Sequence, residues 1–206
     1  QYIAELKENL KPVHVQTVTL KGKGNKDGGY SDDETLLTDG EVTITREDGK
    51  WILPGLYSYP ADKDKVETFI TKLMKIDNAE LVGKTEETRK ECEVGPNKGT
   101  TVVVENEMGD ELCNITLGKT VPATRDRTFA RFENGETVYS INPSFSTWDM
   151  QLSGAPKEWP GNWMDKTLIE FDSEKGEEVK KVEVAKRSGE RYTLEKVEIK
   201  KEVPVP

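Results

Sequence analysis

Histidine and cysteine are scarce in this sequence: His14 is its one histidine, and Cys92 and Cys113 are its two cysteines. A catalytic triad needs a base beside a nucleophile. The chain has neither a G-x-S-x-G motif nor a helpful Cys–His spacing. It also lacks the CxxC pairs of many metal sites and the glycine motifs that hold phosphates. We therefore expect a protein that is not an enzyme and that carries no cofactor.

Long apolar runs are missing as well. No stretch approaches the roughly 18 apolar residues of a membrane helix, and no signal peptide is visible. The chain begins with Gln1 rather than Met, so we expect a fragment or a processed form, and the missing leader does not indicate a cytoplasmic protein. The net charge of −9 repels nucleic acid and anionic lipid, so we expect neither as a direct partner.

Alternating apolar residues predict several β-hairpins. Residues 41–53 form one that turns at Asp48-Gly49, and residues 129–141 form another that turns at Asn134-Gly135, because both residue pairs favour tight turns with positive φ. A further hairpin is predicted over residues 100–117. Near the C-terminus, the pattern predicts strands at 168–171 and 179–184, a turn at Ser188-Gly189 and a return strand through Tyr192 and Leu194.

Residues 61–77 predict the main helix. Asp62 can cap its first turn, and apolar side chains follow at helical spacing, namely Val66, Phe69, Ile70, Leu73 and Met74. The predicted fold class is α+β, with antiparallel β-hairpins or sheets packed against this one amphipathic helix. The predicted division is a linker, strand and charged loop at 1–40, the α+β domain at 41–196 with sub-lobes 41–120 and 121–196 as an option, and an extension at 197–206.

Three segments have weaker patterns. Residues 1–12 carry apolar residues at helical spacing, and residues 13–20 predict an edge-type strand. Residues 21–40 are rich in glycine and charge, which predicts a mobile loop. Residues 78–100 are charged and predict irregular structure.

Aromatic residues in a segment rich in proline and glycine are the best candidates for binding. They are Phe145, Trp148, Trp159 and Trp163. Exposed, these rings could stack on a sugar or contact a partner; buried, they would cover the open end of a sheet. The sequence leaves both alternatives open.

Two weaker candidates concern metal and disulfide bonds. Asp27, Asp32 and Asp33 lie in an acidic loop that could hold Ca²⁺, but the EF-hand register is incomplete and a solvated loop is the better interpretation. Cys92 and Cys113 could form a disulfide in an oxidising compartment, or could be two separate buried thiols. Carboxylates that lie close in sequence, such as Glu170 and Asp172, keep a hydrolase as a further alternative.

Four stretches of the chain resemble the bacterial domain-of-unknown-function family 4340 in their order and spacing. They are Val42 to Trp51; Tyr59 to Lys63, which opens the helix to Leu73; Ile115 to Lys119, followed by Ala130-Arg131 and Val138-Tyr139; and Trp163 to Leu168, leading to Val179–Val184. The resemblance implies an envelope protein with an N-terminal membrane anchor, in some members encoded beside ABC-type export or gliding systems. It carries over no catalytic residue.

The leading hypothesis combines the residues with this resemblance. It is a non-enzymatic, extracytoplasmic scaffold or adaptor domain of a bacterial envelope protein, accessory to an ABC-type export system, with a protein partner in the envelope and membrane contact only through an anchor outside this chain. The alternatives are a glycan- or ligand-binding module that uses the aromatic segment, and a hydrolase with paired carboxylates. The oligomeric state is left open.

Overall fold

The computed structural model describes residues 2–29, 33–96, 98–167, 180–185 and 190–195. The chain divides into two compact units, residues 1–166 and 167–206. This division differs from the predicted one, because the boundary at 40/41 falls inside a strand and the boundary at 120/121 falls between two strands of one sheet. Within the described residues, no helix has both the length and the apolar content that crossing a membrane requires.

The first unit is mostly one antiparallel sheet of nine strands. In chain order the strands are β1 Thr17–Asn25, β2 Leu37–Glu47, β3 Lys50–Leu53, β4 Tyr59–Pro60, β5 Asn78–Gly83, β6 Thr100–Glu105, β7 Glu111–Thr120, β8 Thr128–Phe132 and β9 Val138–Asn142. Their order across the sheet is β4-β3-β2-β1-β6-β7-β8-β9-β5. Four short helices accompany it, namely α1 Tyr2–Asn9, α2 Lys63–Met74, α3 Glu86–Glu91 and α4 Trp159–Asn162. This architecture is broadly consistent with the α+β class.

The turn chemistry predicts three hairpins that the structure confirms, β2–β3, β6–β7 and β8–β9. Asp48 and Gly49 have φ values of 49° and 78°, as a tight hairpin turn requires. In the β8–β9 hairpin the turn lies one residue earlier than predicted, because Glu133 and Asn134 have the positive φ values, of 50° and 56°, and the N–H of Gly135 closes the turn on the carbonyl oxygen of Phe132. The Asp48-Gly49 pair therefore decides its own turn, whereas the Asn134-Gly135 pair indicates the hairpin but not which two residues take the positive φ values.

The loop predicted at residues 21–40 is wrong at both of its ends. β1 continues to Asn25 and pairs with β2 as far as Leu37. β1 also lies between β2 and β6, so it is an interior strand rather than an edge strand. The glycines that predicted a loop serve a different purpose, because Trp159 packs directly against two of them, Gly24 and Gly40.

Residues 78–100 are also more regular than predicted. β5 pairs with β9 at one end of the sheet, and its side chains are mostly exposed, so it has no apolar alternation to detect. α3 follows, with the hydroxyl of Thr85 accepting a hydrogen bond from the N–H of Thr88 at 3.1 Å. An edge strand and a two-turn helix gain their stability from neighbours, which a local pattern does not record.

One core joins the helices to the inner face of the sheet. α2 begins after Asp62, whose carboxylate accepts a hydrogen bond from the N–H of Lys65 at 3.2 Å, as the sequence predicts. Its buried residues are Val66, Phe69, Ile70 and Leu73. The same core also contains Leu6 of α1 and the aromatic residues that follow β9. The helical cover is therefore shared among several elements rather than provided by α2 alone.

The described part of the second unit is a small hairpin. β10 Lys181–Ala185 pairs antiparallel with β11 Arg191–Glu195, with Val182 opposite Leu194. This pairing agrees with the strands predicted there. The predicted turn at Ser188-Gly189 and the predicted strand at 168–171 lie outside the described residues.

Candidate functional site

The aromatic segment that follows β9 and ends at Trp163, just after α4, is built around buried rings. Phe145, Trp159 and Trp163 are at most 3% exposed. The ring of Phe69 in α2 meets Phe145 edge-on at a centroid distance of 6.4 Å and Trp163 at 5.8 Å. The hypothesis that these three rings form a binding surface is therefore wrong. Each ring already packs inside the core, so none is free to stack on a ligand.

Trp159 fills the space that the glycine-containing strands leave open. An added Cβ at Gly24 would lie 2.7 Å from its ring and one at Gly40 would lie 2.4 Å from it. The indole Nε1 donates a hydrogen bond to the carbonyl oxygen of Gly154 at 3.2 Å. The ring is thus packed on one side and hydrogen-bonded at its edge, which is a structural role.

Trp148 is the exception, with 75% of its surface exposed while the other three tryptophans are buried. It lies in the Trp148 turn, defined here as residues 146–151. The N–H and hydroxyl of Ser146 both donate to Asp149 Oδ2, at 2.8 and 2.7 Å. The carbonyl oxygen of Trp148 accepts from the N–H and the side-chain amide of Gln151, at 3.1 and 2.9 Å. A large apolar ring is therefore presented to solvent on a turn with a fixed backbone.

The Trp148 turn is fastened to α2 by an ion pair. Lys72 Nζ donates to Asp149 Oδ1 at 2.5 Å, and it also lies 5.3 Å from the centre of the Phe145 ring. Both members of the pair are largely shielded from water. The turn is further tied to α4, because the amide of Asn162 donates to the carbonyl oxygen of Gln151 at 3.0 Å. These contacts reduce the entropy that the turn would lose on binding.

The charge of Asp149 makes the anchoring of this turn dependent on pH. Burial acts to raise the pKa of this carboxyl, but the hydrogen bonds from Lys72 and Ser146 outweigh burial and the pKa is lowered. Because the folded-state pKa lies below the unfolded value near 3.9, the stabilisation is complete at neutral pH and is lost as the pH falls through the folded-state pKa.

Replacing Asp149 with asparagine is expected to reduce the free energy of unfolding by about 1–2 kcal/mol at pH 7, because hydrogen bonds to a charged group are lost. The difference from the wild type should narrow as the pH falls below about 4. Urea unfolding at a series of pH values measures it. Asp126→Asn serves as the control, since Asp126 is exposed. If the difference in the free energy of unfolding between Asp149→Asn and the wild type stays constant down to pH 2, the charge of Asp149 does not anchor the turn.

The acidic loop does not gather metal ligands in the part of it that is described. Asp33 caps a short helical turn, accepting hydrogen bonds from the N–H and hydroxyl of Thr35 at 2.9 and 2.7 Å, and these bonds lower its pKa. Asp27 lies in an exposed turn, and Asp32 is outside the described residues. Among the residues that are described, no group of three or more acidic, histidine or cysteine side chains could hold a metal ion.

The two cysteines are buried, are not joined by a disulfide bond and lie in different parts of the core. Cys113 packs in the main cluster, whereas Cys92 packs with Val94 and Val138 in a separate small one. Burial raises the pKa of the Cys92 thiol, which disfavours the reactive thiolate. The disulfide between them is therefore absent, and the alternative of two separate buried thiols describes this structure.

The hydrolase alternative finds no geometric support in the described residues. Glu170 and Asp172 lie outside them. Asp39 and Glu41 share one groove, but they are exposed and form ion pairs with Lys23 and Lys21. General acid catalysis needs a carboxyl group whose surroundings keep it protonated at neutral pH, and exposure to water does not provide them.

Sequence reasoning missed the groove itself. Its polar walls come from Lys21, Thr101, Thr116 and Arg131, which stand on four different strands. No motif in the chain links these residues. Only the strand register brings them together, so the one useful signal would have been the correct pairing of β1 with β6.

Comparison with known families supports the resemblance through three of its four stretches, because the first, Val42 to Trp51, precedes the matched range except for Trp51. The model of the family described as "Domain of unknown function (DUF4340)" matches residues 51–205, which is well over half of the chain. No curated protein matches the chain, and no solved structure matches it. The matched range begins inside β3 and contains the Trp148 turn, α2 and the strands from β4 onward. The chain therefore belongs to the DUF4340 family.

Proposed function

We propose that this chain is a non-enzymatic adaptor domain of a bacterial envelope protein, and that it binds a protein partner through the Trp148 turn. The exposure of Trp148 on an anchored turn is the observation that carries the proposal. Tryptophan is enriched among the residues that dominate the binding energy of protein interfaces. A ring that is left in water while three others are buried is well suited to enter a pocket of a partner.

The energetics of this ring favour binding. An aromatic side chain buries roughly 150–250 Å², and apolar burial contributes about 25 cal/mol per Å². Covering Trp148 would therefore supply several kcal/mol at a single position. The hydrogen bonds of Ser146 and Asp149 already order the turn, so little of this free energy is spent on ordering the backbone.

The location and the kind of system are part of the same proposal. We place the domain outside the cytoplasm, tethered by an anchor outside this chain, as an accessory of an ABC-type export system. Membership of the DUF4340 family supports this placement, through the properties that the resemblance implies. The net charge of −9 is in keeping with a protein partner rather than nucleic acid.

Site-specific photo-cross-linking tests the surface directly. A photoreactive phenylalanine analogue at position 148 is expected to capture one defined protein from the native envelope fraction. The same analogue at position 57 should not, although Tyr57 is more exposed to solvent than Trp148. Excess unlabelled wild-type chain should compete, and Trp148→Ala chain should compete at least tenfold less well. Equal capture at both positions, or equal competition by both chains, would contradict the proposal.

A glycan-binding module is the second candidate, because one exposed indole can stack on a sugar. The other tryptophans, Trp51, Trp159 and Trp163, are buried, so a change in fluorescence on adding envelope oligosaccharides would come from Trp148. A saturable change that is lost in Trp148→Ala would favour this candidate. The adaptor proposal expects no change.

A further inference from the structure

A polar row crosses the outer face of the sheet on five neighbouring strands. The strand register places Glu41 opposite Lys21, Lys21 opposite Thr101, Thr101 opposite Thr116, and Thr116 opposite Arg131. Adjacent strands lie about 4.8 Å apart, so the backbone positions of Lys21 and Arg131 are separated by about 14 Å. Long basic side chains at this separation can both reach a ligand that lies over the threonines between them.

A groove of about 410 Å³ lies along this row. Gly95, Pro96 and Gly99, which precede β6, form its other wall. This wall packs closely on the strands, because a Cβ added at Gly99 would lie 2.6 Å from the side chain of Thr116. The hydroxyls of Thr101 and Thr116 are 3.1 Å apart, so one of them can donate to the other while the remaining proton is free for a further acceptor.

The charges in the groove do not cancel. Lys21 pairs with Glu41 at 3.4 Å and Lys23 with Asp39 at 3.8 Å, which accounts for both carboxylates of the groove. Arg131 forms no ion pair with any carboxylate in the described part of the chain. Among the described residues, the guanidinium of Arg131 is therefore left without a counterion, although the net charge of the chain is negative.

Arg131 is also held in place. Its Nε donates to the carbonyl oxygen of Val94 at 2.7 Å and its Nη1 to that of Gly135 at 3.1 Å. Nη2 has no hydrogen-bond partner among the described residues, and it is not one of the buried unpaired nitrogens, so it remains accessible to water. The side chain thus presents a fixed donor that a ligand can use.

The surroundings of Arg131 disfavour its own charge. Burial lowers the pKa of Arg131, and the nearby cation of Arg89 lowers it further. The guanidinium stays protonated at neutral pH all the same. An anion beside it would relieve both the loss of hydration and the repulsion between the two cations. The negative net charge of the chain opposes this weakly, because charges beyond about 8–10 Å are largely screened at physiological ionic strength.

We infer that this groove binds an oxyanion, the carboxylate or phosphate group of a larger ligand, with Arg131 as the principal contact and Lys21 and Thr101 as additional donors. Guanidinium groups match the geometry of both anions. The groove exceeds the size of one such group, so the rest of the ligand would extend along the polar row. This site is independent of the Trp148 turn, and the two proposals can fail separately.

NMR titration of the full 206-residue chain tests the inference, with inorganic phosphate in one arm and citrate in the other to distinguish the two oxyanions. Saturable shifts are expected for the backbone amides of residues around Arg131 and Thr101 in at least one arm. Arg131→Gln is expected to weaken this affinity by about tenfold or more, because a charge-assisted hydrogen bond is lost. Arg125→Gln removes the same charge from an exposed position, and it should change the affinity for the probe less than about twofold.

A second variant keeps the inference testable if Arg131→Gln does not fold. Thr101→Val keeps the shape and the strand preference of the side chain but removes its hydroxyl, and it should weaken binding by a few-fold while leaving the fold intact. Circular dichroism and thermal unfolding verify the fold of each variant. Absence of saturable shifts in both arms would overturn the inference, as would equal affinity of a folded Arg131→Gln chain and the wild type.

Discussion

Replacing Trp159 with alanine is expected to lower the free energy of unfolding by about 3–5 kcal/mol, the usual cost of truncating a large buried aromatic residue. The ring is almost completely buried, and it covers a stretch of β1 and β2 where glycines provide no side chains of their own. Gly24 and Gly40, which the ring covers, have no side chains that could fill the cavity. Urea unfolding followed by circular dichroism measures the loss.

A double-mutant cycle with Gly40 makes this prediction specific. Gly40→Ala alone should cost about 1–3 kcal/mol through overpacking, because its Cβ would lie 2.4 Å from the ring of Trp159. In the Trp159→Ala background the ring is gone and the added methyl group has space. The combined loss should therefore be smaller than the sum by about 1 kcal/mol or more. If the two losses in the free energy of unfolding are strictly additive, then Gly40 does not make room for the ring of Trp159.

The strands around these glycines show where sequence patterns stop being informative. Asp48-Gly49 and the stripe from Val66 to Leu73 decide local structure by themselves, and both agree with the structure. Gly22, Gly24 and Gly40 predict a loop by composition, yet they lie in strands. The reason for Gly24 and Gly40 is Trp159, a tryptophan more than 100 residues later in the sequence, which no local window contains.

The two candidate sites, the aromatic segment and the groove at Arg131, differ in how far the sequence predicts them. The aromatic segment was identifiable from its tryptophans, but exposure separates Trp148 from Trp159 and Trp163. That distinction depends on which ring faces α2 and which faces the glycines. The groove at Arg131 was not predictable, because its residues meet only through the register of five strands. Long-range pairing is the information that a single sequence carries least explicitly.

The contact between the end of α3 and β7 leads to the second large prediction. A Cβ at Gly118 would lie 2.2 Å from the carbonyl oxygen of Cys92 and 2.7 Å from the side chain of Val94. That carbonyl oxygen also accepts a hydrogen bond from the N–H of Lys119 at 3.2 Å. Backbone atoms held in this way cannot rotate aside as a flexible side chain can, so the loop after α3 must move away from the strand.

Gly118→Ala is therefore expected to reduce the free energy of unfolding by about 3 kcal/mol, the upper end of the range for overpacking. Gly55→Ala is the matched control, because no atom lies within 4 Å of its added Cβ, and it should change stability by less than about 0.5 kcal/mol. Urea unfolding of both variants measures the difference. Similar stability of the two variants would show that the loop does not rest on β7.

Gly118→Ala should also affect oxyanion binding in the groove. Val94 follows Cys92 in the displaced loop, and its carbonyl oxygen is the acceptor that holds Arg131 Nε. If the loop moves, Arg131 loses its fixed orientation although its charge is unchanged. Folded Gly118→Ala chain should then bind the oxyanion probes more weakly than the wild type, whereas Gly55→Ala should bind them equally well. Unchanged affinity in a folded Gly118→Ala chain would mean that the position of Arg131 does not depend on this loop.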